Sequence, residues 1–152
     1  MVKNPSYFNL SLWDTVYGEY WRSIHKKTDY YHLFDYYAWV EEDVNKMITN
    51  SGTTLVVVNS VCGCAAANAR PGAITSLVND KKPDHLTTVF AGVDRDAVEK
   101  VRHYLAPFPP SSPAIALFKD GELVHMLERH HIEGRSAEMI SQNLKVAYNE
   151  YC

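Results

Sequence analysis

Two cysteines separated by a single glycine, Cys62 and Cys64, are the residues of this chain whose type and spacing could carry out chemistry. They follow the uncharged run Thr53–Val58, which is typical of a strand buried on both faces. An alanine-rich segment that favours helix comes directly after them. A thiol in the first turn of a helix lies beside unpaired backbone N–H groups and the positive end of the helix dipole. Both favour the thiolate, so we expect a reactive sulfur here.

The two thiols are expected to have different roles. Cys62 lies closer to the helix start and is the predicted nucleophile, whereas Cys64 lies further in and is expected to be covered by the helix. From there Cys64 could attack a mixed disulfide on Cys62 and resolve it. Gly63 should permit the unusual backbone angles of the small ring that a Cys62–Cys64 disulfide closes. We expect strain in that ring to make the pair more oxidising than an unstrained Cys-x-x-Cys pair, which suits exchange or isomerisation.

Metal binding is the alternative use of two thiols. A closed zinc or iron–sulfur site needs about four ligands, and the sequence has no second pair of cysteines. Four histidines in its second half could supply the remainder: His103, His125, His130 and His131. Their spacing matches no metal signature, so we expect no metal and interpret His130 and His131 as surface or loop-anchoring residues. Thiol–disulfide exchange also requires no organic cofactor. A metal or iron–sulfur carrier remains the alternative function.

The first fifty residues contain two predicted helices. From Ser11 to Ile24 apolar residues recur at spacings of three and four, which predicts an amphipathic helix rich in aromatic rings. We expect its aromatic face to pack on the domain; the alternative is an interaction module that uses this face to bind a partner. A short edge strand is predicted around Tyr31–Phe34. The second helix should carry four residues on one face: Val40, Val44, Met47 and Ile48.

Strand and helix patterns alternate around the cysteines. The helix that starts at them should run to about Val78, itself a predicted core residue, and Pro71 should interrupt it because proline has no N–H to donate. Leu86–Ala91 is typical of a further buried strand, and Asp94 is the predicted N-cap of the helix after it. This alternation predicts a parallel βαβ unit.

The last third of the chain predicts a hairpin and a helix. Ala114–Phe118 and Leu123–Leu127 should be antiparallel strands joined by a turn at residues 119–122. The final helix carries an apolar stripe: Ile140, Leu144, Ala147 and Tyr151. This order of elements predicts an α/β, thioredoxin-like fold, a central mixed β-sheet flanked by helices, with an extra N-terminal amphipathic helix. We expect residues 1–30 to be a helical extension packed on a single domain of residues 31–152.

The proline-rich loop Pro107–Pro113 supplies the second part of the predicted site. In a thioredoxin-like fold, Pro113 would lie opposite the cysteines after a cis bond from Ser112. The backbone of Ser112 would then be free to pair with an extended substrate. The other prolines are interpreted as stiffening the loop.

Length and charge limit the classes of function. With 152 residues and 46% apolar composition, the chain can build one sizeable core. A net charge of -3 provides no basic field for nucleic acid, and no apolar run is long enough for a membrane span. The first residues lack the features of a secretory signal, so we expect a reducing cytoplasm. In that compartment a close cysteine pair is usually a transient redox couple or a pair of metal ligands rather than a structural disulfide. We also expect a monomer or weak dimer.

Five segments together resemble the bacilliredoxin family over about residues 36 to 152: Val58–Ala66, Ala69–Pro71, Val89–Gly92, Pro110–Pro113 and Arg129–Gly134. The resemblance implies a thiol–disulfide oxidoreductase with disulfide isomerase activity. It also implies that the protein removes bacillithiol, a low-molecular-weight thiol, from S-thiolated cytosolic proteins. The family's attacking cysteine, resolving cysteine and cis-proline correspond to Cys62, Cys64 and Pro113. Cys152 resembles the family's terminal cysteine, and we expect an exposed thiol at a frayed helix end, or else a second resolving or thiolated site.

One difference from thioredoxins concerns proton transfer. Val56 stands six residues before Cys62, where thioredoxins keep a buried aspartate. We therefore expect protons to move through water or a nearby polar group such as Asn59 or Ser60. The predicted substrate-binding residues are Ser112, Pro113, Gly63, Asn59 and Ser60.

Overall fold

The computed structural model describes residues 36–37 and 41–152. The predicted helix over residues 11–24, the predicted strand around residues 31–34 and the expected extension of residues 1–30 lie outside these ranges. Of the helices within them, none is both long and apolar enough to cross a membrane.

The described residues form five strands and five α-helices, one of which is preceded by a π-helical segment. In chain order they are β1 (Tyr36–Tyr37), α1 (Glu41–Ile48), β2 (Thr53–Asn59), the π-helical segment Ala65–Ala69, α2 (Arg70–Ser76), β3 (His85–Phe90), α3 (Arg95–Tyr104), β4 (Ala114–Lys119), β5 (Glu122–Leu127), α4 (Arg129–Ile132) and α5 (Ala137–Tyr151).

The strands form one mixed sheet in the order β1-β3-β2-β4-β5. Strand β2 runs parallel to β3 and antiparallel to β4, and β4 forms a hairpin with β5. The predicted βαβ unit and hairpin are therefore confirmed. The hairpin turns at Asp120 and Gly121, which have φ angles of 50° and 87°. Glycine and aspartate tolerate this left-handed region, as the turn prediction requires.

Strand β2 is buried along its whole length and divides the core into two layers. Leu55 and Val57 pack with residues of α2 and α5 on one face. Val56 and Val58 pack with residues of α1 and α3 on the other. Because side chains alternate along a strand, Asn59 faces the same side as Leu55 and Val57. The position of Asn59 thus places a polar side chain beneath the helix that carries the cysteines.

That helix changes type before Pro71. The N–H of Arg70 donates to the carbonyl of Ala65, a spacing of five residues that belongs to a π-helix. The chain resumes as α2 with Pro71 in its first turn, where a missing N–H is tolerated. The predicted interruption is thus a change of helix type. The helix ends at Ser76, and the prediction of Val78 as a core residue is wrong, because Val78 is 77% exposed.

Asp94 occupies the predicted N-cap position of α3, but its carboxylate accepts a 2.8 Å hydrogen bond from the N–H of Phe90. It therefore ties the end of β3 to the start of α3 instead of capping the helix with its side chain.

The packed face of α5 is wider than its predicted stripe. Ile140, Leu144 and Ala147 are buried as expected, and Tyr148 is fully buried as well. The hydroxyl of Tyr148 lies 2.9 Å from Ser76 Oγ, so its polar end is satisfied within the core. The periodicity missed Tyr148 because a tyrosine can equally belong on a surface.

Above about pH 10, the free energy of unfolding should fall as pH rises, partly because of Tyr148. Burial raises the pKa of Tyr148 from its ordinary 10.0, and only the hydrogen bond with Ser76 opposes this. The stabilisation is complete below pH 10 and is lost above it, at about 1.4 kcal/mol per pH unit. Urea denaturation from about pH 9 to about pH 11 should show a shallower decline in Tyr148→Phe. Equal slopes in the two proteins would contradict the prediction.

Candidate active site

Strands β2 and β3 end, and strand β4 begins, at the same edge of the sheet. Val58 pairs with Ala114, and Asn59 pairs with Phe90. Cys62 follows the end of β2, and Ser112 and Pro113 precede the start of β4. Neighbouring strands lie about 4.8 Å apart, so the sheet brings the cysteines and the proline loop to one place.

The helix begins directly after Cys62, as the sequence predicts. The carbonyl of Cys62 accepts hydrogen bonds from the N–H groups of Ala65 and Ala66, at 3.1 and 3.3 Å. Cys62 and Cys64 form a disulfide with their Cα atoms 5.4 Å apart. Both cysteines are half-buried, so the expected deeper cover of Cys64 is not seen. The reason is that Cys64 still lies in the first helical turn, which projects beyond the sheet.

A polar chain leads from the core to the sulfur of Cys62. Ser60 Oγ lies 3.2 Å from Cys62 Sγ and donates to it. The N–H of Ser60 donates at 2.9 Å to Oδ1 of Asn59, and Asn59 is 1% exposed. The two polar residues that the sequence singled out are thus connected to each other, and Ser60 reaches the reactive atom directly.

Arg70 also belongs to this series of hydrogen-bonded residues, and the sequence did not predict it. Its Nη1 donates at 3.2 Å to Asn59 Oδ1, and the residue is only 6% exposed. A charged residue among alanines, just before a proline, is the available sequence signal.

The expectation that Gly63 supplies unusual backbone angles is wrong. Its φ lies outside the left-handed region, and a Cβ atom built on it would meet nothing within 4 Å. Gly63 adopts helical geometry, which any residue can take. What Gly63 provides is open space where a side chain would otherwise project.

The Ser112–Pro113 bond is cis, as predicted, and Pro113 is buried. The Ala106–Pro107 bond is also cis, which the sequence reasoning missed. Arg129 holds the loop from the side: its N–H donates at 2.6 Å to Ser111 Oγ, and its Nη1 lies 3.4 Å from the carbonyl of Ser112. Helix α4 is thereby attached to the predicted substrate-binding loop.

The metal alternative would need histidines beside the cysteines, and no group of possible ligands in the described residues joins the two. Within the described ranges, one group of three possible metal ligands occurs, and it consists of Glu128, His130 and His131. Nδ1 of His131 accepts a 3.0 Å bond from the N–H of Glu128, which closes a capping box around α4. His131 thus anchors a loop, as interpreted from the sequence. This group includes neither cysteine.

Cys152 is an exposed free thiol. Although the residue is exposed, partial burial of its sulfur raises the pKa of Cys152, while a hydrogen bond with Thr53 acts in the opposite direction. Thr53 and Asn59 are the two ends of β2, about 20 Å apart at 3.3 Å per residue. Cys152 is therefore too distant to resolve a mixed disulfide on Cys62 of the same molecule.

Comparison with known proteins agrees with this geometry. A family model described as Disulphide isomerase matches residues 36–152. A bacilliredoxin of Cytophaga hutchinsonii is 62% identical over 109 residues, which cover 72% of this chain and 81% of that protein. A bacilliredoxin of Halalkalibacterium halodurans is 59% identical over 112 residues, covering 74% of this chain and 78% of that protein.

Two solved structures show the fold. A putative oxidoreductase with a thioredoxin fold superposes with a TM-score of 0.60 at 15% identity, covering 76% of this chain and 97% of that one. Mitochondrial thioredoxin 3 from Saccharomyces cerevisiae superposes with a TM-score of 0.56 at 12% identity, covering 81% and 99%. The predicted thioredoxin-like fold is confirmed. With a family model over most of its length and close relatives of one kind, the chain belongs to the bacilliredoxin family and is a thiol–disulfide oxidoreductase.

Proposed function

We propose that this oxidoreductase removes a low-molecular-weight thiol of the bacillithiol type from S-thiolated proteins in the bacterial cytoplasm. Cys62 is the attacking residue and Cys64 the resolving residue. The observation that supports this most is the half-buried Cys62 sulfur at a helix start, with the Ser60 hydroxyl 3.2 Å away. A hydroxyl donor and the helix N-terminus both favour the thiolate, which is the nucleophile in disulfide exchange.

The exchange proceeds in balanced steps. The Cys62 thiolate attacks the sulfur of the small thiol in the mixed disulfide, and the substrate protein leaves as a thiolate that takes up a proton. The small thiol is then disulfide-bonded to Cys62. Cys64, as its thiolate, attacks Cys62 Sγ, forms the Cys62–Cys64 disulfide and releases the small thiol. Two further molecules of small thiol reduce that disulfide and leave joined as their own disulfide.

The surface around the sulfurs suits an extended protein substrate. Val61 is 63% exposed immediately before Cys62, and Gly63 leaves open space after it. Ser112 lies on the adjoining loop and is half-buried, within reach of a chain that passes the cysteines. Backbone pairing at Ser112 and apolar contact at Val61 would bind many sequences, as a general de-thiolating enzyme requires. The proposed partners are S-thiolated proteins and the small thiol, and the proposed state is a monomer or weak dimer.

The test is release of the small thiol by the unmodified protein. A cytosolic protein that carries one bacillithiol mixed disulfide is incubated with a catalytic amount of the reduced enzyme and free bacillithiol. Mass spectrometry should show the substrate losing the mass of the small thiol much faster than in free bacillithiol alone. A substrate carrying glutathione serves as the comparison for thiol preference. If neither adduct is released faster than without enzyme, the proposed function is wrong.

A further inference from the structure

We propose that Arg70 is a positioning residue for the reactive thiol: its buried guanidinium acts through Asn59 and Ser60 to stabilise negative charge on Cys62. This inference rests on the proposed role of Cys62 as the attacking thiolate. It identifies a residue that stabilises the thiolate of Cys62, which the family resemblance does not address.

The geometry fixes the connection. Arg70 Nη1 and the N–H of Ser60 both donate to Oδ1 of Asn59, at 3.2 and 2.9 Å. The backbone of Ser60 is therefore held against Asn59, and Ser60 Oγ points at Cys62 Sγ from 3.2 Å. Asn59, Ser60 and Arg70 are 1%, 7% and 6% exposed, so water competes little for these hydrogen bonds.

The charge of Arg70 is not matched by an anion in the described part of the chain. A guanidinium stays protonated in proteins, and burying it is costly unless it is paired. No carboxylate among the described residues forms an ion pair with Arg70, and its buried Nε has no hydrogen-bond partner. A cation left in this state favours any negative charge that forms nearby. The negative charge that forms at this site is the thiolate of reduced Cys62.

The hydroxyl of Ser60 directs this stabilisation of negative charge to the reduced enzyme, in which Cys62 is a thiolate. A disulfide sulfur is a weak hydrogen-bond acceptor, whereas a thiolate is ionised and accepts strongly. The same Ser60 hydrogen bond is therefore stronger to the thiolate than to the disulfide. Arg70, by holding Asn59 and Ser60 in place, contributes both a fixed geometry and a positive charge.

Other ionisable groups also lie at this edge of the sheet. Asp94 is buried after β3, and its carboxylate accepts from Phe90 N–H. From α4, Arg129 is paired with Glu133 at 3.3 Å, and His131 is bound to the N–H of Glu128. Cys64 is on the same helix as Arg70. A substitution of Arg70 leaves these groups in place. A change in the pH midpoint of Cys62 alkylation would therefore be due to the loss of Arg70.

The experiment measures the reactivity of Cys62 against pH. Reduced protein is alkylated with iodoacetamide, which places a carbamidomethyl group on sulfur and releases iodide. Mass spectrometry of peptides then separates Cys62 from the other two cysteines. Three variants are compared with the unmodified protein: Arg70→Met, which removes the charge; Arg70→Lys, which keeps it; and Arg102→Met. Arg102 is the matched control, because its Nε is likewise buried without a partner but it lies on α3, across the sheet.

In Arg70→Met the pH midpoint of alkylation should rise, and the rate below the midpoint should fall roughly three- to tenfold. Arg70→Lys should restore most of the rate, and Arg102→Met should match the unmodified protein. If Arg70 only stabilised the fold, Arg70→Met would have a lower denaturation midpoint but the same pH midpoint of alkylation as the unmodified protein. That result would overturn the inference, as would equal shifts in Arg70→Met and Arg102→Met.

If Arg70→Met does not fold, Ser60→Ala carries the test, since it removes the hydroxyl that reaches the sulfur. It should raise the alkylation midpoint in the same direction, and an unchanged midpoint would contradict the inference. Failure of the proposed function would look different: Cys62 would alkylate normally in the unmodified protein, yet no small thiol would leave the substrate.

Discussion

Cys62→Ser is expected to lose removal of the small thiol completely, whereas Cys64→Ser is expected to accumulate an adduct on Cys62. The serine hydroxyl ionises far too weakly to replace a thiolate in disulfide exchange. In Cys64→Ser the first attack still occurs, but no neighbouring thiol resolves the mixed disulfide. With a stoichiometric amount of thiolated substrate and no free small thiol, the adduct should persist.

Intact-protein mass spectrometry reads both outcomes. Cys62→Ser should stay at its own mass, and Cys64→Ser should gain the mass of one small thiol. Cys152→Ser is the control and should behave like the unmodified enzyme, because Cys152 lies by Thr53 at the far end of β2. De-thiolation by Cys62→Ser would show that the attacking cysteine is assigned wrongly. An adduct on Cys64→Ser that maps to Cys152 would show the same.

Gly72→Ala is expected to lower the free energy of unfolding by about 1–3 kcal/mol, an overpacking cost. A Cβ at Gly72 would lie 2.7 Å from Ile140 Cγ2 and 3.1 Å from the carbonyl oxygen of Ala137. Both belong to α5, and the carbonyl cannot rotate away as a side chain could. The helix that carries the cysteines would have to move off α5. The higher helix propensity of alanine offsets up to about 1 kcal/mol of this cost.

Gly63→Ala is the matched control, because it adds the same methyl group to the same helix. There the new Cβ meets nothing within 4 Å, so the denaturation midpoint should stay the same or rise slightly. Urea denaturation of both variants at neutral pH gives the comparison. Equal midpoints for Gly72→Ala and Gly63→Ala would show that α2 and α5 are not packed as closely as the structure indicates.

The sequence predicts the central elements well because their patterns are strong. The run Thr53–Val58 is uncharged and β-branched, and it forms the strand that is buried on both faces. The cysteines precede alanines, and the helix starts where they stand. Pro113 is identified by its place before a strand, which fixes its position at the sheet edge. In each case the local pattern and the tertiary position agree.

What the sequence could not predict depends on contacts between distant segments. Arg70 lies eleven residues from Asn59, and only the folded helix brings its guanidinium to that side chain. Tyr148 is buried because Ser76 faces its hydroxyl, a pairing across seventy-two positions. Val78 fits the helical period yet lies past the last turn, where it reaches solvent. Periodicity shows which face a residue occupies, but not where its partners lie.

The disulfide between Cys62 and Cys64 encloses one residue, since its sequence separation is two. The stabilisation from a cross-link increases with the logarithm of its loop length, and a three-residue loop contributes only about 1.6 kcal/mol in that description. Opening and closing the bond therefore changes folding stability far less than in a protein held together by long disulfide loops. The core, rather than the sulfurs, therefore maintains the fold, and we expect the oxidised and the reduced enzyme to share it.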